Sequence, residues 1–317
     1  MNKKSNNKNF ILTGADGGTI YTLAVAIPLV LSIVYSIVLI ASGLVADENF
    51  TKSSLSTYLS FGLSSVSLFL VVLYAVKKNQ LDFKQTISFA RCENKYYLIA
   101  ILLAFGSLFG LGWINDAFIS FLQSLGFELS EITLPKNHFG DFILCTIIVC
   151  VLPAFFEESI FRGLILNGAR RAGDTFAVIA CGILFSLFHK NPTQTIYQFV
   201  MGAVFTLLTL KSGSVLPAMI FHFINNFYVV VYYFLAPENY VFELWLQITL
   251  FVLGIIAFVL TLLYLVLKCK KPLRDENLDK DYAEVFDKKI EKRNFLIFAL
   301  PGIFACLIFW VINLIGA

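Results

Sequence analysis

Three short groups of polar residues interrupt otherwise apolar stretches of this 317-residue sequence. Each ionisable residue at the centre of a membrane helix costs about 2.5 to 3.5 kcal/mol on insertion scales, so residues kept there are expected to be functional. The polar members of these groups are Glu157, Glu158 and Arg162; His189, which follows Phe185 by four residues; and His222 and Asn226.

The first group combines an ion pair with a second carboxylate. On a helix, Glu158 and Arg162 are four residues apart and can pair on one face, whereas Glu157 projects about 100° away. Pro153 removes the helical hydrogen-bond donor for the carbonyl of Val149, which predicts a kink. The spacing therefore predicts that Arg162 holds the carboxylate of Glu158 and that the carboxylate of Glu157 is free to face a different neighbour. The alternative interpretation is a proline bend followed by a helix-end ion pair.

The other two groups each contain a histidine. His189 can orient water or bind a metal through its imidazole, although a single histidine at a span end is more often interfacial. Phe185 lies one turn earlier and is predicted to pack beneath it. His222 and Asn226 share one helix face, where the alternative to catalysis is a hydrogen-bond clamp between helices.

Together these side chains could hydrolyse a bond. A glutamate would act as general base on a water shared with one histidine, while the other histidine and the amide would stabilise an oxyanion. The same residues could equally support a metal-dependent mechanism, in which His189, His222 and Glu158 bind Zn²⁺ and the other carboxylate acts as base. Spacing alone does not decide between Zn²⁺ and no metal, and the sequence contains neither an HExxH nor a GxSxG motif.

The composition identifies the elements that must position these residues. Hydrophobic residues make up 58% of the chain and charged residues only 14%, against about 25% charged residues in soluble domains. A net charge of +3 is too small and too dispersed to indicate a nucleic-acid partner. We therefore predict an all-α fold, a polytopic transmembrane helix bundle of about eight or nine spans. The candidate spans are residues 20–45, 58–76, 96–122, 142–166, 176–189, 195–210, 215–234, 242–267 and 295–315.

The fifth and sixth of these spans are short for a bilayer that needs about 20 helical residues, so either their boundaries are misplaced or they are enclosed by the other helices. With nine spans and a cytoplasmic N-terminus, 21 of the 24 Lys and Arg residues fall on the inner side, as the positive-inside tendency requires. This places the C-terminus on the opposite side. We expect one membrane domain over 1–317, with a catalytic core at about 96–267, peripheral helices at 20–76 and 295–315, and a cytoplasmic loop at 268–293. Gly106 and Gly110 predict a close helix contact.

Three motifs carry a resemblance to a known family. They read EESIFR at 157–162, FSLFH at 185–189 and HFINN at 222–226. In this order the chain resembles the CAAX protease and bacteriocin-processing family of intramembrane endopeptidases, whose motifs are EExxxR, FxxxH and HxxxN. The resemblance implies the following roles: Glu157 as the base that activates water, His189 as its positioner, Glu158 with Arg162 as the supporting pair, and His222 with Asn226 as oxyanion stabilisers.

The resemblance also implies partners and a location. The partners would be membrane lipid and a peptide or lipidated protein substrate, in a bacterial plasma membrane, with the choice between CAAX-type and bacteriocin-type processing left open. Two alternatives use the same polar residues without peptide hydrolysis: an immunity protein that binds a toxin, and a transporter of small solutes. Transporters often contain inverted repeats with broken helices, and the sequence shows no matching second half.

Overall fold

In the part of the chain that the structure describes, the bundle contains nine apolar helices of 15 or more residues. The computed structural model describes residues 12–51, 53–129, 134–136, 138–236, 241–272 and 286–315, and all regular secondary structure within these ranges is helical. The prediction of an all-α membrane bundle is therefore confirmed. In chain order the helices are α1 (Gly14–Ala41), α2 (Ser54–Lys78), α3 (Asn94–Ser124), α4 (Phe139–Ala172), α5 (Asp174–Phe188), α6 (Pro192–Ser212), α7 (Leu216–Leu235), α8 (Leu244–Leu267) and α9 (Lys288–Ile315).

Eight of these described helices are long and apolar enough to cross a bilayer, and α5 is the shorter one. Its 15 residues rise about 22 Å, less than the roughly 30 Å of the hydrocarbon core. For the sixth span the candidate boundaries were wrong, because α6 has 21 residues instead of the 16 of the candidate span 195–210. Asn191 accepts a hydrogen bond from the backbone N–H of Thr193 and Pro192 occupies the first turn, so α6 starts earlier than predicted.

The last helix also begins earlier than the candidate span. Because α9 starts at Lys288, the final residues of the expected loop 268–293 are helical. Residues 273–285 of that loop lie outside the described residues.

The first and last helices pack against each other and against α4. Gly14 donates its backbone N–H to Glu291 Oε2 at 2.5 Å, which joins α1 to α9. A Cβ at Gly17 would lie 3.1 Å from the Cα of Gly168 in α4. The helices at the two chain ends thus form a pair that braces the helix carrying the EExxxR motif.

A second close contact joins α3 and α8. A Cβ at Gly106 would lie 2.7 Å from the backbone nitrogen of Phe258, and a Cβ at Gly254 would lie 2.5 Å from that of Gly110. The close approach predicted from Gly106 and Gly110 is confirmed. Small residues at such crossings let helix backbones approach closely in a membrane.

This contact predicts the effect of a single methyl group. In Gly110→Ala, the new Cβ would lie 2.7 Å from the backbone nitrogen of Ile255, so α3 and α8 must separate. We expect a loss of about 1 to 3 kcal/mol in the free energy of unfolding, measured by denaturant titration in detergent. Gly112→Ala is the matched control, because a Cβ there meets nothing within 4 Å. Equal stability of the two variants would contradict the packing argument.

Candidate active site

The helix α4 is irregular on both sides of its two glutamates. π-helical segments at Thr146–Val151 and Ser159–Ile165 flank the α-helical turns at Leu152–Glu158. π-segments inside α-helices occur frequently at functional sites. The first segment ends just before Pro153, where the sequence predicted a kink.

The carbonyl of Val149, which lacks its helical hydrogen-bond donor because residue 153 is proline, accepts a hydrogen bond from another helix. Asn226 in α7 donates its Nδ2 to the carbonyl oxygen of Val149 at 3.0 Å. Buried backbone carbonyls are nearly always paired, and here the partner comes from a different helix. The HxxxN motif is thus attached to the backbone of α4 about two turns before Glu157.

The predicted ion pair is present and buried. Arg162 Nη1 lies 3.0 Å from Glu158 Oε1, and their side chains are inaccessible. The same oxygen also pairs with His222 Nδ1 at 2.9 Å, and the His222 residue is only 5% exposed. Glu158 is therefore neutralised by the guanidinium and holds the imidazole of α7 in place.

The guanidinium of Arg162 is further fixed by α5 and α6. Its Nη2 donates to the carbonyl of Gly202 at 3.1 Å, and its Cζ lies 4.4 Å from the Phe185 ring centroid and 4.9 Å from that of Phe205. A Cβ at Gly202 would come within 2.8 Å of Phe185 Cβ. Neither Gly202 nor Phe205 belongs to a polar motif. In the sequence, only the glycine within an apolar span could have indicated this contact.

His189 directly follows α5 and has a defined ring orientation. Its Nδ1 lies 2.8 Å from the carbonyl oxygen of Phe185. Since a carbonyl only accepts, Nδ1 holds a hydrogen, and the neutral ring presents the lone pair of Nε2. The Phe185 ring centroid lies 4.8 Å from that of His189 and 6.0 Å from that of His222. The predicted packing of Phe185 beneath His189 is confirmed, and the same ring also contacts His222.

Glu157 occupies the accessible side of this cluster. It is half-buried, like His189 and Asn226, whereas Glu158 is buried. Its Oε2 atom is buried without a hydrogen-bond partner among the residues that the structure describes. Glu157 and His189 are both close enough to His222 to interact with it electrostatically. The structure thus gathers the six predicted residues from α4, α5 and α7 into one region.

A further chain of hydrogen bonds supports the amide of α7. Tyr197 donates its hydroxyl to Asn225 Oδ1 at 2.5 Å, and Asn225 Nδ2 lies 3.4 Å from Asn226 Oδ1. The sequence analysis did not identify Tyr197 or Asn225. In the sequence, only the two adjacent asparagines of HFINN could have indicated this network.

The proposed zinc ligands do not form a three-ligand set. Within the described residues, no group of three or more His, Cys, Asp or Glu side chains is arranged to hold a metal ion. Glu158 Oε1 already interacts with Arg162 and His222, and the guanidinium 3.0 Å away would repel a divalent cation. His189, His222 and Glu158 therefore do not fit a zinc site in this geometry, and we derive no step through a metal.

Comparison with known families agrees with this geometry. Residues 139–228 match the family model described as type II CAAX prenyl endopeptidase Rce1-like. These residues form an Rce1-like domain. The domain runs from the start of α4 into α7 and contains all six candidate residues, so the resemblance seen in the motifs is confirmed. No curated protein and no solved structure gives a significant match. The Rce1-like domain and the apolar helices indicate an integral membrane protease.

Proposed function

We propose that the protein is an intramembrane endopeptidase in which Glu157 activates water to hydrolyse a peptide bond. The observation that carries the proposal is the difference between two adjacent carboxylates. Glu158 is fully buried and pairs with Arg162 and His222, whereas Glu157 is half-buried and has no ion-pair partner among the described residues. Glu157 is therefore the carboxylate that can accept a proton from water.

His189 would hold the attacking water. Its Nε2 presents a lone pair, so one O–H of the water can donate to it while the other donates to Glu157. The water oxygen attacks the substrate carbonyl carbon as Glu157 takes its proton. Glu157 then gives that proton to the leaving amine as the carbon–nitrogen bond breaks.

The oxyanion formed in this step needs donors. His222 Nδ1 faces the Glu158 carboxylate, which only accepts, so His222 can donate from Nε2 when both ring nitrogens carry hydrogens. The amide of Asn226 has two N–H groups, and one of them binds the Val149 carbonyl. The second is available to the oxyanion. Glu158 and Arg162 act as positioning residues, because they orient His222.

The amide donor predicts a specific loss of rate. Asn226→Ala is expected to lower kcat for peptide cleavage by about 10² to 10³, the effect of removing one oxyanion donor. The measurement is single-turnover cleavage in nanodiscs. Asn225→Ala is the matched control, since that amide lies beside Asn226 and bonds Tyr197, and we expect a less than tenfold change. Equal losses in both variants would indicate a shared structural role for the two amides.

The substrate class follows from the family and from the position of the site. The site lies near the middle of α4, so a scissile bond must enter the membrane region, as the terminus of a lipidated protein or a membrane peptide can. We propose a prenylated CAAX-type peptide as the first substrate to test, with bacteriocin-type peptides as the second.

The test uses the purified full chain in nanodiscs. A farnesylated peptide with a CAAX terminus, the same peptide without the prenyl group, and a bacteriocin precursor peptide are incubated with it, and products are identified by mass spectrometry. We expect cleavage of the prenylated peptide at a higher rate than of its unmodified form, and expect cleavage to persist with a chelator. Absence of cleavage of all three would contradict the proposed function.

A further inference from the structure

A small basic cavity lies at one end of the bundle and reaches Arg162. Its volume is about 260 Å³, and its lining contains three arginines but no Asp or Glu. It is formed where the α2–α3 connection, the second half of α4, the end of α6 and the segment after α8 meet. The lining residues that matter for the argument are Arg91, Arg162, Arg170 and Pro272.

The arginines differ in depth. Arg91 is exposed, Arg170 is half-buried and Arg162 is only 2% exposed. The cavity therefore extends from the surface toward the guanidinium that pairs with Glu158. Besides its bonds to Glu158 and Gly202, Arg162 has a buried Nε without a hydrogen-bond partner among the described residues.

A wider basic groove adjoins the mouth of this cavity. It has a volume of about 500 Å³ and shares Arg91, Ser212 and Pro272 with the cavity. Six of its lining residues are Lys or Arg and one is Glu. The charged members are Arg91, Glu93, Lys95, Lys211, Lys268, Lys270 and Lys271.

Several of these cations already have partners, and others do not. Lys95 pairs with Glu93 at 2.8 Å, and Lys211 donates to the carbonyl of Cys269 at 2.8 Å. Arg91, Lys268 and Lys270 are exposed. Their side chains form no hydrogen bond or ion pair with any described side chain. The groove therefore carries positive charge that the described protein does not neutralise.

The level of the groove in the membrane indicates what would bind there. Lys95 lies in the first turn of α3, Lys211 in the last turn of α6, and Lys268 directly after α8. The 24 residues of α8 extend about 36 Å, so its ends reach past the hydrocarbon core of about 30 Å. The groove thus lies at the level of lipid headgroups, on the face that the charge distribution predicts to be cytoplasmic.

We propose that this groove and cavity bind the phosphate-bearing headgroup of an anionic membrane lipid. Phosphate oxygens match arginine donors, and basic pockets between membrane helices bind such headgroups. A free phosphate ion offers the same oxygens, but the headgroup-level position and the cations along the groove favour a lipid. Arg162 would then lie between two sites, because one side of its guanidinium binds the catalytic pair and the other faces the lipid cavity.

The test compares lipid retention by the purified full chain. Native mass spectrometry and thermal unfolding are carried out in a neutral detergent with phosphatidylglycerol, phosphatidylcholine or inorganic phosphate. One variant carries Arg91→Gln, Lys268→Gln and Lys270→Gln. The control removes three exposed charges outside both pockets, Lys77→Gln, Lys78→Gln and Lys289→Gln.

We expect retention and thermal stabilisation with phosphatidylglycerol only. Each basic residue near an anionic surface contributes about fivefold in affinity, so the groove variant should bind on the order of a hundredfold more weakly. The control triple should bind as the unmodified protein does. Equal weakening in both triples would overturn the assigned site, and equal stabilisation by inorganic phosphate would overturn the lipid as ligand. Both readouts are independent of peptide cleavage.

Discussion

Replacing Glu157 by Gln is expected to lower kcat for peptide cleavage by about 10² to 10⁴ without unfolding the protein. The amide keeps the size of the carboxyl group but cannot take the proton of the attacking water. Because Glu157 is half-buried and outside the Glu158–Arg162 pair, the change leaves the buried hydrogen bonds of α4 intact. The measurement is the single-turnover cleavage rate, with the unfolding transition recorded in parallel.

The matched control is Asp116→Asn, which also removes a carboxylate from a membrane helix. Asp116 lies on α3, is exposed and is not part of the cluster around Glu157. We expect an unchanged cleavage rate in this control. Retained cleavage in Glu157→Gln would rule out the glutamate as base. Protection against a toxin that survives Glu157→Gln and His222→Gln would instead favour the non-catalytic immunity role.

The second large effect concerns stability. Arg162→Met is expected to lower the free energy of unfolding by about 3 to 5 kcal/mol, because it leaves the fully buried carboxylate of Glu158 with only His222 as a partner. The double variant Glu158→Gln with Arg162→Met removes both charges and should recover part of this loss. The measurement is denaturant unfolding in detergent.

The control for this prediction is an ion pair at the surface. Lys95 and Glu93 form a contact of the same type at 2.8 Å, but their side chains are 39% and 69% exposed to solvent. Lys95→Met should therefore leave the unfolding transition unchanged within error. A small effect of Arg162→Met, similar to that of Lys95→Met, would show that the buried pair does not stabilise the bundle.

Contacts within one helix could be predicted from the sequence. Glu158 and Arg162 pair because residues four apart face the same way on a helix, and Phe185 packs beneath His189 for the same reason. The contact of His222 with Glu158 could not be predicted. It depends on how α4 and α7 pack, and spacing within either helix contains no information about that packing.

The same limit applies to the irregular parts of the fold. The π-segments around the glutamates have no residue-type signature, so the sequence suggested only a kink at Pro153. The start of α6 was misplaced because Asn191 and Pro192 are polar or cyclic residues that hydropathy excludes from a span, although both favour a helix start. Hydropathy locates the apolar centre of a helix better than its ends.

The bond between Asn226 and the Val149 carbonyl has a consequence for motion. If residue 153 carried an N–H, the carbonyl would have a donor within its own helix and the asparagine would have a competitor. Proline removes that competitor, so the acceptor is reserved for α7. Because no backbone donor of α4 can replace this amide, moving α4 away from α7 at the bend would leave the Val149 carbonyl unpaired, so this one bond couples the positions of the two helices.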